Sequence, residues 1–167
     1  MKQATLPSAA QAHPTAEPRP AAAPSEPPAA YDLSSQIGHL LRRAYQRHTA
    51  IFQETIPDHR LTAVQFAVLV AIREEQPAPL IRIGRMTAID HATLRGIVAR
   101  LEDRDLVRTE SDTEDRRQRI VSLSPDGEAL VRTCIPEALR ITELTLAPLD
   151  ACERVAALHI LRKLSGE

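Results

Sequence analysis

The sequence predicts a mainly α fold with a small β-hairpin wing: a winged helix-turn-helix carrying N- and C-terminal dimerisation helices. Three observations predict it. Two helical stretches, Leu80–Met86 and His91–Asp103, are separated only by Thr87–Asp90, which is helix-turn-helix spacing. Two apolar, β-branched runs follow at once, Leu106–Glu110 and Arg119–Leu123, joined by a wholly polar link that reads as a hairpin. Long amphipathic helical patterns stand at both ends of this unit.

The 167 residues suit one domain and a tail. Residues 1–30 hold seven Pro and ten Ala and show no apolar periodicity, so a disordered tail is expected there. The segment also lacks the apolar run of a secretory signal. Residues 31–60 are expected to form a dimerisation helix. Leu33, Ile37, Leu40, Leu41, Ala44, His48, Ile51 and Phe52 recur at helical spacing until Pro57 ends the pattern.

Residues 61–123 then read as the winged helix. Its first helix opens on Thr62-Ala-Val-Gln65, a capping box in which a hydroxyl accepts from the third-position amide and Gln reaches back. Phe66, Val68, Leu69 and Ile72 continue that helix up to Pro77, and Pro79 starts the next short one. Asp90 is placed to cap the helix from His91, whose core stripe is Leu94, Ile97, Val98 and Leu101. Residues 124–167 are expected to hold C-terminal dimerisation helices. Ser124-Pro125 provides the N-cap and first position of a helix to about Leu146, with a bend expected at Pro136. A last helix spans about Asp150–Leu164, with Val155, Leu158, Leu161 and Leu164 in line.

Composition narrows the function. Net charge is −1, so no broad basic surface advertises a nucleic-acid partner, yet 19 Arg stand against two Lys. Arg suits bidentate phosphate and base contacts, although GC-rich coding DNA produces the same bias. Four aromatic residues are too few for a base-stacking platform. Cys134 and Cys152 make no disulfide framework, and no apolar run spans a membrane, so the cytoplasm is the expected compartment. There is no Gly-x-Ser-x-Gly elbow, Walker loop or dinucleotide glycine fingerprint, so neither an enzyme nor a cofactor is expected. The histidines have no tight metal-ligand spacing.

Residues 79–123 carry the most information. A major groove admits one helix, read from its first turns. His91, Thr93, Arg95 and Gly96 lie off the apolar stripe there, and Arg100 lies further along. The link between the strands contains Asp115, Arg116 and Arg117. Arginines at a hairpin tip fit a narrow, electronegative minor groove, with Asp115 available to hold one of them. A solvated charged surface is the competing reading of both segments.

The order Leu61-Thr62-x-x-Gln65-Phe66, Asp90-x-x-Thr93, Leu101-Glu-Asp-Arg-Asp-Leu-Val107, Asp115-Arg116-Arg117 and Val121-Ser-Leu-Ser-Pro-Asp-Gly127 resembles the MarR family of bacterial winged-helix regulators. The resemblance covers roughly residues 31–165. It implies a homodimer, recognition helices in successive major grooves of double-stranded DNA, wings in minor grooves, and a ligand cleft between the dimerisation and DNA-binding parts. Asp105 departs from the Gly common at its place, and Asp tolerates left-handed backbone better than most residues. Ile37–His48 and Ala88–Gly96 are also similar to regulators of nicotinic acid catabolism, which implies a response to hydroxylated pyridine carboxylates.

A small aromatic acid effector needs a cation, a few donors and apolar walls. His39, Arg43 and Arg47 share one helix face, His48 sits within the apolar stripe, and Phe52 and Phe66 can supply walls. Arg43 and His48 are the expected partners of the carboxylate or ring substituents, with His39 in support. The competing reading makes His39 and Arg43 surface residues and His48 a satisfied core histidine. Two other functions stay open: a cysteine-based redox-sensing regulator, and a winged-helix interaction module that does not bind DNA. Cys134, near Arg132, is expected to be buried and inert.

Overall fold

A computed structural model describes residues 31–112 and 118–166 of the protein. The tail expected at 1–30 and the wing-tip residues Asp115, Arg116 and Arg117 lie outside the described residues. The chain divides into a first unit, Met1–Leu33, and a second, Ser34–Glu167, which contains the helices and sheet described next. Helix α1 spans Ile37–Thr55, α2 Ala63–Glu75, α3 Leu80–Thr87, α4 His91–Glu102, α5 Pro125–Leu146 and α6 Ala151–Ser165. Strands β1 (Ala78–Pro79), β2 (Val107–Ser111) and β3 (Arg119–Leu123) form an antiparallel sheet in the order β1-β3-β2.

The expected caps form. Thr62 accepts from the Gln65 amide at 3.2 Å and Gln65 Oε1 accepts from the Thr62 amide at 3.0 Å, so two orphan donors are satisfied reciprocally. Ser124 caps α5 by accepting from the Gly127 amide, and α5 continues through Pro136 to Leu146. α6 begins with its own capping box, Asp150 with Glu153. Asp105 takes the left-handed backbone anticipated for it, at φ 56°.

One helix start and one strand differ from expectation. Leu33 belongs to a single 3-10 turn, and α1 starts only at Ile37. α3 starts at Leu80 as expected, with Pro79 as its N-cap residue and the last residue of β1. β1 itself was not expected; two residues are too short for any periodicity to register. It pairs Ala78 with Val121 and Pro79 with Ile120, and this edge position tolerates a proline without an amide proton.

The core lies between α2, α3, α4, the sheet and the first half of α5, around Leu69, Ile72, Ile83, Leu94, Leu101, Val121 and Val131. All four stripe residues of α4 are buried, which fixes the face that helix must turn outward. α6 has no buried residue, and Ile37, Leu40, Leu41 and Tyr45 of α1 are exposed.

Candidate nucleic-acid interface and ligand cavity

The turn Ala88–Asp90 sets the direction of α4. Ala88 adopts left-handed backbone at φ 52°, and the Ile89 amide closes back on the Gly84 carbonyl at 3.1 Å. A Cβ on Gly84 would meet the Ile89 carbonyl at 3.1 Å, so a small residue lets the turn lie against α3. Asp90 Oδ1 then accepts from the Ala92 and Thr93 amides at 3.1 and 3.0 Å. Hydrogen bonding from the Thr93 side chain and amide holds the Asp90 carboxyl below its ordinary range.

His91, Thr93, Arg95 and Arg100 are exposed on the outer face of α4, and Gly96 is half-buried. A Cβ on Gly96 would find only Arg100 Nη1, at 3.7 Å. The protein's own packing therefore does not require glycine there. His91 and Arg95 line a cleft of about 420 Å³ together with Arg119, the first residue of β3. From the sequence, Arg119 is expected only as the start of a strand. What joins it to α4 is the sheet register, which no local pattern reveals.

Of the residues expected to hold an effector, three converge. His48 and Phe52 from α1 and Phe66 from α2 line one cavity of about 510 Å³. The two phenyl rings sit 6.0 Å apart, tilted at 45°. Met86 and Thr87 at the end of α3, Ala138 and Ile141 of α5, and Glu74 complete much of the wall. The space thus touches α1, α5 and the helix immediately before the turn that aims α4. His39 and Arg43 stand outside this lining, half-exposed and exposed respectively on α1.

His48 has found a partner. Thr145 Oγ1 donates to the Ile141 carbonyl at 2.8 Å, so its oxygen accepts from His48 Nδ1 at 3.0 Å. The neutral ring then keeps an acceptor at Nε2, and burial lowers the His48 pKa below 6.5. His48 also lines a second, mainly apolar cavity of about 450 Å³ with Leu41, Tyr45, Thr145, Leu158 and Leu161. Arg47, grouped with His39 and Arg43 by spacing, donates instead to the Thr145 and Leu144 carbonyls at 2.7 and 3.2 Å and so caps α5.

Cys134 is buried, and its thiol pKa is raised first by burial and then by the Asp58 charge, the opposite of an activated thiolate. Cys152 is exposed near the start of α6. Among the described residues no three His, Cys, Asp or Glu cluster as metal ligands, and no helix is long and apolar enough to cross a membrane.

Residues 61–118 match the MarR family. The HTH-type transcriptional repressor NicR of Pseudomonas putida is 50% identical over 134 residues, which cover 80% of this chain and 85% of that protein. BpsR of Bordetella bronchiseptica, whose structure is described as the mechanism for regulation of its DNA binding by 6-hydroxynicotinic acid, superposes with a TM-score of 0.77. It is 49% identical, over 83% of this chain and 99% of that one. PcaV of Streptomyces coelicolor in complex with its natural ligand gives a TM-score of 0.77 at 29% identity, over 83% of this chain and 97% of that one. With caps, turn, paired strands and sequence all in agreement, the chain belongs to the MarR family.

Proposed function

We propose that this protein is a homodimeric transcriptional repressor of the cytoplasm that binds a pseudo-palindromic operator and leaves it when a hydroxylated pyridine carboxylate enters the His48 cavity. One observation carries the reading. α4 buries Leu94, Ile97, Val98 and Leu101 while presenting His91, Thr93 and Arg95 on its exposed first turns, as a groove-reading helix must. The effector class follows from the likeness to BpsR, for which 6-hydroxynicotinic acid is the printed regulator.

The cavity offers apolar walls in Phe52 and Phe66 and one acceptor nitrogen in His48. A hydroxypyridine can place a ring N–H or hydroxyl on that nitrogen. Because Met86 and Thr87 form part of the wall, filling the space bears on α3 and, through the turn, on α4. Release requires the effector to bind the DNA-incompetent arrangement more tightly than the competent one. Coupling of about 1–3 kcal/mol would weaken operator binding roughly 5- to 150-fold.

The test is a mobility-shift titration on the DNA upstream of the protein's own gene, with and without nicotinate, 6-hydroxynicotinate and benzoate. Binding that falls steeply with salt and is reversed by the hydroxypyridine supports the proposal. A weak, salt-independent response would favour the interaction module. His48→Ala is expected to blunt release about tenfold or more with DNA binding retained. Arg43→Ala, run in parallel, places the carboxylate on the guanidinium if it alone loses the response.

A further inference from the structure

We propose that Glu102 and Thr109 are positioning residues that hold Arg119 against the phosphodiester backbone of bound duplex DNA. The inference rests on the DNA-binding reading and adds working parts to it. Thr109 is the centre of a directional relay. Its amide and its hydroxyl both donate to Glu102 Oε1, at 3.2 and 2.6 Å. The hydroxyl's one proton is thereby committed, and its oxygen accepts from Arg119 Nη2 at 2.5 Å. The order cannot run the other way, since a carboxylate only accepts and a guanidinium only donates.

Register explains the meeting. Thr109 pairs with Val121 and Ser111 pairs with Arg119, so Thr109 and Arg119 are diagonal neighbours on one face of the ribbon. Glu102 is the last residue of α4 and reaches the same threonine. The relay therefore joins the end of the proposed groove-reading helix to both wing strands. At the other end of α4, Arg119 shares its cleft with His91 and Arg95. Two guanidiniums and an imidazole from separate elements converge on one space, the chemistry that seats a phosphodiester anion. A free arginine side chain surrenders much rotamer freedom on binding. Thr109 takes one of its five donors and removes part of that freedom beforehand.

The experiment uses the full chain and a mixed-sequence duplex of about three helical turns, with affinity measured by fluorescence anisotropy across a salt series. Arg119→Ala is expected to reduce the salt slope by about one, as loss of a single phosphate contact does. Thr109→Val, which keeps shape and backbone, should weaken binding about three- to tenfold at unchanged melting temperature. In an Arg119→Ala background the same change should add nothing, because the threonine acts only through that arginine. Thr109→Ser restores the hydroxyl and should restore affinity. Glu102→Ala should reproduce the Thr109→Val loss.

Equal Thr109→Val losses in both backgrounds, or none in either, would overturn the relay. Salt-dependent binding by the unaltered protein together with a silent Arg119→Ala would remove Arg119 alone and leave the repressor reading standing. Absence of salt-dependent binding by the unaltered protein would bring down that reading and this one with it.

Discussion

Gly127 shows how one residue can fix the join between two halves of a fold. A Cβ there would lie 2.0 Å from the Leu106 carbonyl oxygen, a backbone atom that no rotamer change can move. The neighbouring Ser124 closes the same corner: its amide donates to Leu106 O at 3.1 Å and its hydroxyl to the Asp105 carbonyl. Gly127→Ala is expected to destabilise the protein by about 1–3 kcal/mol or more through forced separation of α5 from the α4–β2 corner, measured by chemical denaturation. Asp58 offers a pH signature of the same scale. Burial pushes its carboxyl up, but the Arg60 amide and the paired Arg104 guanidinium more than reverse this, leaving it below 3.8. The native state then binds fewer protons than the unfolded chain, so this contribution is complete above 3.8 and is lost as pH falls through the lower native value. Melting curves of the parent and Asp58→Asn should therefore differ near neutrality and converge in acid.

At the scale of the element, the proposed DNA contacts divide along α4. Arg95→Ala is expected to cost about 1–3 kcal/mol of discrimination between operator and random DNA, whereas Arg100→Ala should weaken both alike. Competition titrations with both duplexes decide it. This helix was also the most legible part of the sequence. Its cap, its stripe and its outward residues are all local, written within about four turns. What was illegible depends on residues distant in the chain. Arg47 and Thr145 meet across 98 positions, and the Thr109–Arg119 contact exists only once the register is set. The residues expected to hold an effector divide the same way. Phe52, a core-stripe position, and Phe66 reach the cavity, while the spacing of His39, Arg43 and Arg47 defines a face without saying what that face meets.

For the whole molecule, α6 is the element that a lone chain does least to explain. None of its residues is buried, and Leu158 and Leu161 remain 40% and 48% exposed. A helix of 15 residues is marginal without tertiary packing. The proposed homodimer supplies the missing apolar cover. Leu158→Glu combined with Leu161→Glu is expected to yield monomers by sedimentation and to reduce operator affinity by about 100-fold or more, because each half-site would then bind alone.

The imidazole of His48 belongs to the walls of two voids. One void borders the helices that aim α4, and the other borders α6. Thr142 lines both voids beside it. A molecule in the first void would therefore touch two residues, His48 and Thr142, that also face the α6 side, where the proposed homodimer would have its seam.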